Sequence, residues 1–92
     1  MRKAMDIEGN RIDYDPKAKP APDALLFAHG EYAQVLVGAT PDGRAVYDLD
    51  AMIVWLMRTK GWGYGEALEY VGCGVVGSLP AAGPRGPVLV RR

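Results

Sequence analysis

The stretch Arg44-Ala45-Val46-Tyr47-Asp48-Leu49-Asp50-Ala51-Met52-Ile53 decides the fold, because the hydrophobic patterning changes period inside it. Up to Tyr47 the residues suit a short strand. From Leu49 to Met57 the apolar positions cover almost the whole circumference of a helix, which marks a buried helix. Asp48 stands at the junction and is a good N-cap, since its carboxylate can accept from the orphan amides of a first turn. Asp50 adds negative charge where the helix dipole favours it. Lys60-Gly61 supplies a cation in the last turn and a glycine stop.

Working back from Arg44, Thr40-Pro41-Asp42-Gly43 is strong turn chemistry: Pro presets φ and Gly accepts a conformation other residues avoid. Ala33 to Gly38 is rich in β-branched residues and reads as the strand before that turn. Ala24 to Ala28 is a further short apolar run, closed by His29-Gly30. Three strands joined so tightly should be antiparallel neighbours.

Working forward, Tyr64, Ala67, Leu68 and Val71 fall at i, i+3, i+4 and i+7, with Glu66 and Glu69 on the other face. Gly72 should end this second helix. Residues 72–87 read as a Gly/Pro-rich loop, and Val88-Leu89-Val90 as a last strand. The expected fold is α+β: a small antiparallel sheet, in the sequence order βββααβ, with two helices on one face. Its core should contain Leu26, Val35, Val37, Val46, Ile53, Leu56, Leu68, Val71 and Leu89.

Residues 1–23 differ from the rest. They are dense in charge, and Asp15-Pro16-Lys17-Ala18-Lys19-Pro20-Ala21-Pro22-Asp23 has the composition of an extended connector. The segment therefore reads first as a solvated arm, with 24–92 as a single domain. Within it, Met5 to Tyr14 alternates apolar and charged residues around Gly9-Asn10, so a small hairpin is the other reading.

The 92 residues carry 11 basic and 11 acidic side chains, a balance that gives no electrostatic drive toward nucleic acid or an anionic membrane. The basic start, Met1-Arg2-Lys3, meets Asp6 where a secretory leader needs its apolar stretch. The longest apolar run, Ala51 to Met57, is far short of the ~18 residues of a membrane helix. The expected setting is the cytosol. One Cys forms no internal disulfide, and one Cys with one His makes no zinc cluster, so neither metal nor cofactor is expected.

Candidate chemistry is thin. Cys73 lies past a helix C-terminus, where carbonyl ends disfavour a thiolate, and reads as a buried structural thiol; pairing with His29 would need tertiary proximity. Asp48 with Asp50 and Glu66 with Glu69 read as a helix cap and a solvated face, not as acid–base pairs. Gly61-Trp62-Gly63-Tyr64-Gly65 leads into a helix start, but no Lys-Ser/Thr follows and no strand precedes, so it reads as an interhelical turn packed by its aromatics. As a helix-turn-helix the second helix would present glutamates to phosphate. No catalytic residue is expected.

Three segments carry a resemblance. Val46 to Ile53, then Gly61-Trp62-Gly63-Tyr64-Gly65-Glu66-Ala67-Leu68-Glu69-Tyr70, then Gly86-Pro87-Val88-Leu89-Val90 resemble a family of small bacteriophage and prophage proteins. Its pattern has a Tyr-Asp helix start, a Gly-Met-Ser/Thr-x-Glu-Glu-Ala turn and a closing Pro-hydrophobic strand. The likeness covers roughly residues 31–92. Gly63 replaces the usual Ser or Thr cap and Gly65 the usual Glu, so only Glu66 remains of a capping box. The resemblance implies a non-enzymatic interaction protein in the host cytosol, bound to a host or phage protein complex. Its most concrete form is an inhibitor of a host defence system such as CRISPR–Cas. The expected contact residues are Tyr32, Trp62, Tyr64, Tyr70, Arg85 and Arg91, because Tyr, Trp and Arg dominate binding hot spots. Tyr14 belongs to the same excess of aromatics. Two alternatives stand beside this: a nucleic-acid-binding accessory protein using Arg44, Lys60, Arg85, Arg91 and Arg92, and a structural phage assembly protein. A homodimer is also expected, paired through Val88–Val90 or Met5–Tyr14, because so small a sheet leaves open edges.

Overall fold

A computed structural model describes residues 1–27, 30–76, 83 and 86–91. Strands β1 (Arg2–Asp6) and β2 (Arg11–Tyr14) open the chain, followed by a 3-10 turn over Gly30–Val35. Strands β3 (Leu36–Ala39) and β4 (Ala45–Asp48) lead into helices α1 (Leu49–Lys60) and α2 (Tyr64–Tyr70). A π-type turn over Val71–Val76 follows, and β5 (Val88–Arg91) completes the sheet. The class is α+β, with all five strands in one sheet of order β2-β1-β5-β4-β3.

The sheet is mixed, and this corrects the all-antiparallel expectation. β4 and β5 run parallel, Val46 opposite Val88 and Asp48 opposite Val90, because the two helices carry the chain back before β5 begins. Every other pairing is antiparallel. The expected first strand, 24–28, is absent over its described part, Ala24 to Phe27, which has no regular structure. Leu26 is 55 % exposed there, so it is not a core residue; Phe27 packs inward instead, its ring 4.7 Å from that of Tyr47.

The N-terminal residues form a hairpin that belongs to the sheet. Gly9 takes φ 87° in the turn, and the Asp6 carboxylate accepts from the amides of Glu8 and Asn10 at 2.9 and 2.8 Å. β1 then pairs with β5, so the sheet runs across position 23. After β2, Asp15 and Ala39 exchange backbone hydrogen bonds of 2.8 and 3.2 Å. The two edge strands thus meet at one corner, and the sheet curls toward a barrel.

That curl gives β4 and β5 two buried faces. Val46, Val88 and Val90 point into the curl with Ala4 and Tyr14, joined by half-buried Ile12 and Val37. Ala45, Tyr47 and Leu89 point the other way, against Met52, Ile53 and Leu56 of α1, Ala67 of α2 and Val71. An aromatic line of Phe27, Tyr32, Tyr47 and Trp55 closes that second core. Continuous apolar strands, without alternation, are what burial on both faces demands.

The helix boundaries follow the sequence. Asp48 accepts from the Ala51 amide at 3.0 Å, and Gly61 ends α1 with φ 70° while its amide reaches the Met57 carbonyl. α2 starts at Gly63 with no side-chain cap. Gly72 does not stop the chain's helical path: the π-type turn carries it through to Val76. Leu68 is another correction to the expected core, at 38 % exposure, because α2 packs beside α1 and buries Ala67, with Val71 just after it.

Candidate functional site

With α2 seated on Ala67 and Val71, every other part of its circumference reaches solvent. At 100° per residue, Tyr64 and Leu68 fall on one flank of the buried line and Glu66, Tyr70 and Cys73 on the other. The expected exposed aromatics therefore do not form one patch. Tyr64, 54 % exposed, stands on the first flank. Tyr70, 42 % exposed, stands on the second, where its ring centroid lies 5.1 Å from that of half-buried Trp62 at an interplanar angle of 53°.

Trp62 and Tyr70 form the wall of a groove of about 560 Å³, lined further by Glu66, Glu69, Cys73 and Gly74. These positions form a second helical stripe: 66, 69, 70, 73 and 74 are spaced i, i+3, i+4, i+7 and i+8, with Trp62 one turn earlier. The alternative stripe, Tyr64-Ala67-Leu68-Val71, dominates the sequence reading because it is apolar. The groove stripe could have been found by asking which residues share a face with Trp62.

Two aromatic faces and two carboxylates in one open groove suit a ligand that is cationic and has an apolar stem. Among the described residues no hydrogen bond uses the carboxylate of Glu66 or Glu69. Cys73 is exposed on the groove, which corrects its expected burial: it falls on the flank of the helical path away from the Ala67–Val71 line. No group of His, Cys, Asp and Glu that could hold a metal ion occurs among the described residues.

The remaining expected contacts are dispersed. Tyr32 is only 5 % exposed and packs edge-on against Phe27 and Trp55, so it is a core residue and not a surface anchor. Tyr14 is buried in the curl of the sheet. Arg91 is exposed at the end of β5, whereas Arg85, Arg92 and His29 lie outside the described residues. Arg44 donates from Nε to the Gly86 carbonyl at 2.9 Å, tethering the approach to β5, so its guanidinium has a role in the fold. Of the two pairing segments expected for a dimer, Val88–Val90 belongs to the central strand of the sheet, between β1 and β4. β2 is at the border of the sheet. No helix among the described residues is long and apolar enough to cross a membrane.

Comparison with protein-family models, curated proteins and solved structures gives no match.

Proposed function

We propose that this chain is a non-enzymatic interaction protein that engages a protein partner through the Trp62–Tyr70 groove. The observation that carries the reading is the groove itself: half-buried Trp62, in the turn before α2, and exposed Tyr70, on α2, stand side by side along one open groove. Paired Trp and Tyr supply large contact area at low entropic cost and are the commonest binding hot spots. The resemblance of three segments to small phage proteins supports a host defence complex as the partner, with CRISPR–Cas as its most concrete form. Inhibitors that imitate DNA need a strong negative charge, and 11 acidic against 11 basic residues do not provide it. Inhibition by this chain would therefore work by covering a protein surface.

The test is affinity purification of the tagged chain from a host with active defence systems. An effector subunit should be recovered, and the Trp62→Ala variant should lose it while keeping its far-UV circular dichroism. Recovery of nucleic acid alone, released by moderate salt, would overturn the reading, because phosphate contacts weaken steeply with salt and an apolar interface does not.

A further inference from the structure

The groove's chemistry specifies what part of a partner it accepts. We infer that it holds a basic side chain, an arginine or lysine of the partner protein, with the cationic head between Glu66 and Glu69 and the stem against Trp62 and Tyr70. This rests on the interaction-protein reading and adds the chemical identity of the contact.

Charge complementarity argues for it. Glu66 and Glu69 are both exposed and both border the groove, so they repel an acidic occupant and attract a basic one. A guanidinium or ammonium group satisfies them and is also attracted by the negative faces of the rings. The aromatic wall is needed too. Two exposed glutamates alone would hold a cation weakly, since surface ion pairs contribute little. A ring pair beside them shields the contact from water and accepts the methylene stem. Gly74 borders the groove, and a Cβ added there would meet nothing within 4 Å, so the space beside it is open.

The experiment uses the full chain and two peptides that differ only in charge. One is a short blocked peptide containing two arginines; the other carries citrulline, the uncharged isostere, at the same positions. Binding is read from the Trp62 indole N–H resonance and from protection of Cys73 against a thiol reagent. The arginine peptide should move the Trp62 resonance saturably and slow Cys73 labelling, and the citrulline peptide should bind about tenfold more weakly or worse. The Glu66→Gln/Glu69→Gln double variant should remove that preference while leaving the fold unchanged, since both side chains are exposed. Gly74→Leu, which adds bulk at the border of the groove, should weaken the arginine peptide. Equal binding of the two peptides, or no response of Trp62 to either, would overturn the inference. If that happens while an effector subunit is still recovered and still lost on Trp62→Ala, the interaction-protein reading stands and only the basic-contact assignment falls.

Discussion

Gly38 shows how one position can govern the closure of the sheet. It lies at the irregularity where β3 leaves strict register with β4, and its φ of 155° is one that side chains rarely adopt. A Cβ there would collide with the Asp15 carbonyl oxygen and come within 2.9 Å of the Pro16 Cα. Both obstacles are backbone and cannot rotate away. Gly38→Ala should therefore lower stability by about 2 kcal/mol or more, read as a fall in the urea midpoint. Asp48 is the second single residue with a clear role. Asp48→Ala removes the α1 cap and should cost about 1 kcal/mol, with Asp48→Asn retaining most of it. Tyr47 supplies a pH dependence. Burial raises its pKa above the ordinary 10.0, against a smaller opposing hydrogen bond from the Phe27 backbone. The folded state thus holds the phenolic proton more tightly than the unfolded chain does. The stability tied to this proton is complete below pH 10 and declines as pH rises through the folded value. Alkaline unfolding should show that component, and Tyr47→Phe should abolish it.

The elements separate what local chemistry determines from what only the assembled fold determines. α1 is legible to the residue, since Asp48, Asp50, Lys60 and Gly61 all carry local end signals that the structure uses. The Thr40–Gly43 turn is equally legible: Gly43 adopts φ 87°, and the Thr40 hydroxyl accepts from the Arg44 amide. Leu26 and Leu68 were not legible, because apolar character says a residue could be buried and only the neighbours' positions say whether it is. The parallel β4–β5 pairing was equally hidden, since strand order depends on where two helices return the chain. The groove lay between these extremes. Trp62, Tyr64 and Tyr70 all stand out in the sequence, but the separation of Tyr64 from the other two depends on which face of α2 is seated. α2 is also the element with the weakest start. Gly63 has φ −73° and ψ 168°, an extended geometry that a serine can adopt, and nothing lies within 4 Å of a Cβ there. Gly63→Ser would place a capping hydroxyl three residues before Glu66, completing a capping box. The expected gain is a few tenths of a kcal/mol, detected as slower amide exchange in the first turn of α2.

At the scale of the molecule, the hairpin and the helical layer share β5 and should unfold together. Tyr14 tests this, because it sits in the curl of the sheet, away from every helix. Tyr14→Ala should cost about 3–5 kcal/mol, the range for emptying a large aromatic site. Helical circular dichroism and a probe in the hairpin should then shift to the same lower urea midpoint. Separate midpoints would mean that residues 1–14 form an arm after all.

β5 has a further meaning in time. It lies between the β1–β2 pair and the β3–β4 pair in the sheet, and it follows both in the chain. Until β5 is in place the edges of β1 and β4 that it fills have no ladder partner, and the two pairs touch at the Asp15–Ala39 bridge. A chain cut before β5 keeps both edges exposed, so a version ending at residue 87 should aggregate far more readily than the full chain.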